Sequence, residues 1–190
     1  MRETYVSIDI EADGPIPGPH SMLSLGAVAF DRDGLELDCF SVNLQTLEGA
    51  TGHPDTMAWW RTQEAAYAAC RVDPEAPQTA IPRFAAWLHA LPGKAVCVGY
   101  PVTFDFMFVQ WYLHRFADGS PWSHSALDMK TFAWVLLGGH FTQATKRHMP
   151  RAWFGEARGH THVAVDDARE QGQLFFGMWR AHQGAMSKAP

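Results

Sequence analysis

The segment Tyr5-Val-Ser-Ile-Asp-Ile-Glu11 constrains this chain more than any other stretch. Val6, Ile8 and Ile10 alternate with other residues at the period of a β-strand that buries one face. On such a strand Asp9 and Glu11, two residues apart, leave the backbone on the same side. Adjacent carboxylates repel one another. They are tolerated as a solvated strand end, or with a cation between them. Oxygen ligands of this kind suit hard divalent ions such as Mg²⁺ or Mn²⁺. Asp-x-Glu by itself does not choose between the two; further acids on suitable elements do.

Size and composition fit one folded unit around that strand. The chain of 190 residues suits a single domain over 1–190, and 47% hydrophobic against 18% charged residues is a globular balance. No apolar run is long enough to span a bilayer, and Asp9 interrupts the first one early, so neither a membrane span nor a signal peptide is expected. Cys39, Cys70 and Cys97 are odd in number and lack Cys-x-x-Cys spacing, which reads as free thiols in a reduced, cytoplasmic protein. A net charge of −5 argues against coating long stretches of nucleic acid. It leaves room for a pocket that grips one strand end through metal ions.

After the Gly- and Pro-rich loop 12–19, strands are expected over 22–30 and 35–44, joined by a hairpin turn at 31–34. In the second of these the alternation runs through Leu35, Leu37, Cys39 and Val42. Helices follow over 54–70 and over 80–91, the latter with Pro82 in its first turn. A buried strand over 95–100 leads to a helix over 104–116, with Thr103 as its N-cap. A short strand over 123–127, a helix over 129–137 ended by Gly138-Gly139, an irregular basic stretch over 140–159 and a last helix over 163–182 complete the chain. This order gives an α/β fold with a central mixed sheet flanked by helices.

Two further acids sit on packing faces. Asp105 lies in a first turn, and Phe108, Val109, Tyr112 and Phe116 follow it at helical spacings. The helix dipole also favours an acid there, so position alone leaves a structural role open. In the last helix Leu174, Phe175 and Met178 form the inward stripe, and Asp167 falls in register with it. Asp166 lines up instead with Glu170, Gln173 and Arg180 on the wet face. His162, five residues before Asp167, belongs to the entry turn, and His160 has no such spacing.

Taken in order, Asp9-x-Glu11, Phe104-Asp105 with Phe108, and His162-x-Ala-x-x-Asp167-Ala168 resemble the DEDDh branch of the DnaQ-like 3′→5′ exonucleases, which share the ribonuclease H-like fold. The resemblance runs from Val6 to Asp167. The stretch Gly52-His-Pro-Asp-Thr-Met-Ala-Trp-Trp60 also resembles a bacterial subgroup of exoribonucleases. One position departs: the family's second motif usually has Asn four residues before its Asp, and here Pro101 stands there.

The resemblance implies that Asp9, Glu11 and Asp167 hold one Mg²⁺ or Mn²⁺ and that Asp9 holds a second, with Asp105 close by through water. It implies two ions about 3.5–4 Å apart for in-line displacement, with His162 taking the proton from the attacking water. The products would be nucleoside 5′-monophosphates released from a single-stranded 3′ end, RNA favoured over DNA. Rivals are a 3′→5′ exodeoxyribonuclease or dinucleotide hydrolase of the same chemistry, and a silent nucleic-acid-binding module. The complete set of acids and His162 speaks against the last.

For substrate contact, Met22, Trp59, Trp60, Phe104 and Phe106 are open to two readings, base stacking or core. Lys146, Arg147 and Arg151 are likewise phosphate contacts or a solvated loop. The apolar circumference of the helix over 104–116 fits either a homodimer interface or burial within one chain.

Overall fold

The alternation at the start of the chain builds the middle of a sheet. In the computed structural model, which describes residues 2–155 and 162–187, β1 (Glu3–Ala12), β2 (Met22–Phe30) and β3 (Glu36–Asn43) form an antiparallel meander. β4 (Lys94–Gly99) runs parallel to β1 on its other side, and β5 (Leu127–Asp128) follows, giving the order β3-β2-β1-β4-β5. Gly34 takes φ +87° in the first hairpin turn, a conformation that a Cβ would oppose. No helix among the described residues is long and apolar enough to cross a membrane.

Helices cover both faces of the sheet. On one face Val6, Ile8, Ile10, Leu25, Ala27 and Val42 pack with α3 (Pro77–Ala90) and α4 (Val102–Phe116) through Ile81, Phe84, Phe108 and Tyr112. On the other face Val28, Phe30 and Val98 pack with α5 (Met129–Leu137) and α6 (Ala164–Met186) through Met129, Leu174, Phe175 and Met178. Burying a Leu-, Ile- or Phe-sized side chain is worth about 1.5–3 kcal/mol, so these two clusters fix which face each helix takes. The outer sides of α4 are half-buried, with Phe106 against Trp122 and Trp111 against Phe116. Contacts within the chain cover part of its apolar circumference, and Phe104 stays exposed.

Several local expectations need correction. The stretch 54–70 is two helices, α1 (Pro54–Trp60) and α2 (Glu64–Ala69). The Thr62 hydroxyl bonds the Trp59 carbonyl at 2.7 Å and the chain closes in i→i−3 turns at Thr62 and Gln63, which ends the first helix. α3 begins at Pro77, so Pro82 lies inside the helix and not in its first turn. Thr103 is not a cap. Helix α4 starts two residues earlier than expected, at Val102, and Asp128 at the end of β5 accepts from the Val102 N–H at 3.1 Å while also capping α5 through Thr131. In β3 the inward residues are Phe40 and Val42, whereas Leu35, Leu37 and Cys39 are exposed. Phe40 packs at a tilt against Phe84 and Trp87 of α3, which sets this register. The strand expected over 123–127 shrinks to two residues because β4 offers it only Val98 and Gly99 as partners. The part of the 140–159 stretch past Gly155, and His160, lie outside the described residues; 141–153 makes three short 3₁₀ turns.

Candidate active site

The site begins where a ladder stops. β1 pairs with β2 as far as Ala12, but its parallel pairing with β4 ends at Ser7↔Val98. Asp9, Ile10 and Glu11 therefore project beyond β4. The Ile10 N–H is taken instead by Asp105, donating to its Oδ1 at 3.1 Å. Asp105 is buried at 5% exposure in the first turn of α4. Burial pushes its carboxyl up to about 7; the Ile10 hydrogen bond opposes this, and the neighbouring Glu11 charge adds to it. An acid that repels its neighbour and resists ionisation is what a cation would relieve.

From the opposite strand, Gly26 sits across from Asp9. A Cβ on Gly26 would lie 2.2 Å from the carbonyl carbon of Ala164 and from the Val165 nitrogen. Only glycine lets the start of α6 settle on the sheet here, and that contact sets how far α6 reaches over β1. Asp167, in the first turn, is then 1% exposed. Asp166 points outward, 3.1 Å from Arg169, which also pairs with Glu36 at 3.0 Å. The helical register read from the sequence holds.

His162 precedes the helix at φ +53°, an uncommon backbone conformation for a non-glycine residue. Its Nδ1 lies 3.8 Å from Glu11 Oε1, ion-pair distance when the ring is protonated. Ligand atoms of Glu11, His162 and Asp167 all fall within 4.8 Å of one another. Asp9 is held from α6 by Gln171, whose Nε2 donates to Asp9 Oδ1 at 2.6 Å. A donor set of carboxylate oxygens with one imidazole can hold a divalent cation.

The expected substrate contacts divide. Trp59 is 42% exposed and stands edge-on to the His162 ring at 5.5 Å. Its neighbour Trp60 is buried and anchored by its indole N–H to the Ala12 carbonyl at 3.0 Å, which fixes the position of α1. Phe104 is 38% exposed beside Asp105 and tilts on Phe108. Met22 is a correction: it is fully enclosed in the core beneath Tyr112 and offers no surface to a ligand. Lys146 pairs with Glu170 of α6 at 3.1 Å and lies over the Tyr100 ring, while Arg147 and Arg151 are exposed.

Sequence reasoning missed Gln171 and Gly26. Each left a signal: a polar residue four positions after Asp167 on the inward stripe, and a lone glycine inside an apolar strand.

Comparison with known proteins gives this geometry a family. A relative in Escherichia coli, the 3′-5′ DNA exonuclease Cap18, is 27% identical over 177 residues, covering 92% of this chain and 90% of its own. Among solved structures, exonuclease I superposes with a TM-score of 0.64 at 17% identity over 99% of this chain. The chain spans about half the length of exonuclease I, 46% of it. Pop2p of S. pombe, in a Mg²⁺- and Mn²⁺-bound form, superposes with a TM-score of 0.60 at 14% identity over 90% of this chain and 81% of its own. These likenesses identify the mixed sheet and its helices as ribonuclease H-like. The 3′-5′ exoribonuclease Rv2179c-like domain matches residues 4–179. This chain belongs to that family, and with it to the phosphodiester hydrolases that work from a 3′ end.

Proposed function

We propose that this chain is a divalent-metal-dependent exonuclease that shortens single-stranded RNA from its 3′ end and releases nucleoside 5′-monophosphates. The observation that carries the reading is the convergence of Glu11, His162 and Asp167 within 4.8 Å, with Asp9 on the same strand face and Asp105 beside Glu11. Asp9, Glu11, Asp105 and Asp167 would hold the divalent ions. A pair of Mg²⁺ or Mn²⁺ ions would supply Lewis acidity at the phosphate and stabilise the leaving 3′-oxygen. The Mg²⁺ and Mn²⁺ bound by Pop2p support this choice of ions.

His162 acts as the general base. Its place outside the helix and next to Glu11 suits a group that must meet the attacking water, and an imidazole can take up that water's proton. Trp59, exposed against the His162 ring, offers a face for the terminal base, and Phe104 offers a second. Lys146 and Arg147 bring positive charge for the phosphate backbone. The three free thiols support work in a reducing compartment such as the cytoplasm.

The family's description supports RNA as substrate. Cap18, a DNA exonuclease, favours the second reading, a deoxyribonuclease using the same groups. RNA and DNA oligomers of one sequence, labelled at the 5′ end and incubated with Mg²⁺, Mn²⁺ or EDTA, separate them. Expected is a ladder shortening from the 3′ end on RNA with either metal and none in EDTA. Faster shortening of DNA selects the second reading, and cleavage in EDTA overturns the metal-dependent one.

A further inference from the structure

Gln171 has no place in the reading above, yet it is built into the site. Among the buried residues of α6, only Asp167 and Gln171 carry polar side chains, and Gln171 is 2% exposed. Four residues apart, the two share one helix face. The Gln171 amide nitrogen donates to Asp9 Oδ1 at 2.6 Å, and its Oε1 makes no hydrogen bond among the described residues. The next turn of the same helix buries Leu174 and Phe175. Packing alone would favour an apolar side chain at 171, because a buried amide with half its capacity unused is tolerated only for what the other half does.

We propose that Gln171 is a positioning residue for the reaction: it orients the Asp9 carboxylate for cation binding. The inference rests on the reading of Asp9 as a ligand. An ionised carboxylate has about four lone-pair sites, and a donor fixed on one of them sets the plane in which the others point. A neutral amide does this without adding charge. A lysine would compete with the cation, and a glutamate would add to the repulsion among the acids. Outer partners of this kind orient metal ligands in many sites.

The test uses the full chain and titrates Mn²⁺ by calorimetry, alongside kcat and KM on one oligonucleotide. Gln171→Met keeps the length and packing and removes the donor; Gln171→Leu is a second donor-free variant should Met not fold. Expected is unchanged thermal unfolding in EDTA, Mn²⁺ affinity about 10–100-fold weaker, and a kcat loss of similar size with KM unchanged. Raised Mn²⁺ should restore part of the kcat, which a defect of packing alone would not allow. If wild type binds Mn²⁺, Asp9→Asn does not, and both Gln171 variants bind as tightly as wild type, the inference fails while the metal reading stands. If wild type takes up no Mn²⁺, both fail together.

Discussion

The two sides of β1 put one backbone to opposite uses. Val6, Ile8 and Ile10 face α3 and α4 and are 0–5% exposed in a closed apolar cluster. Asp9 and Glu11 face the start of α6, beyond the point where pairing to β4 ends. The first side is stabilised by desolvation. The second gathers Asp9, Glu11 and Asp167, whose charges oppose one another, and Asp105 of α4, held on the Ile10 N–H close to Glu11, is pushed up to about 7. Stability and chemistry therefore sit on alternate residues of one strand, and substitutions should separate them.

The largest effect expected on the chemical side comes from the neighbours Asp166 and Asp167. Asp167→Asn should abolish 3′→5′ hydrolysis, whereas Asp166→Asn, on the outward face with Arg169, should keep most of it. The two positions are about 100° apart around the helix. Equal losses in a steady-state assay would mean that α6 does not present one acid alone. Next, His162→Ala should lower kcat by about 10²–10⁴-fold while leaving Mn²⁺ uptake intact. Because His162 also lies among the groups close enough to ligate an ion, calorimetry decides: loss of Mn²⁺ binding in His162→Ala would move it from base to ligand.

On the apolar side, Ile8→Ala should cost about 2–5 kcal/mol in denaturant unfolding, since Ile8 is fully enclosed. Its kcat per folded molecule should remain that of wild type. A fall in kcat without a fall in stability would erase the division between the two sides.

The smallest effect is a slope with pH. Burial raises the Asp105 carboxyl from 3.8 to about 7, so the folded chain keeps a proton that the unfolded chain loses. Asp105's own contribution to metal-free stability should therefore fall as pH rises between those two values and level off above them. Asp105→Asn should flatten that part of the profile. A wild-type minus Asp105→Asn difference of the opposite sign would contradict the burial of an acid at this position.

The acids were legible in the sequence because their positions follow from local periods. A two-residue spacing put Asp9 and Glu11 on one strand face, and helical register separated Asp167 from Asp166. What was not legible depends on contacts far apart in the chain. Thr103 looked like a cap because it precedes a helix, but Asp128, from the end of β5, supplies that bond. Gly26 gains meaning only when α6 lies on it, and Gln171 only when its amide meets Asp9. Met22 shows the same limit from the other side. An apolar residue after a loop can line a pocket or close a core, and the position of Tyr112 decides for the core.

If the polar side of β1 holds divalent ions, Asp9 is its pivot. Mn²⁺ titration of wild type and Asp9→Asn, with thermal unfolding of both in EDTA, tests it most directly. Expected are two ions bound by wild type, loss of that uptake in Asp9→Asn, and metal-free unfolding of the variant at the same or a higher temperature because one repelling charge is gone. Identical binding curves for the two proteins would contradict it.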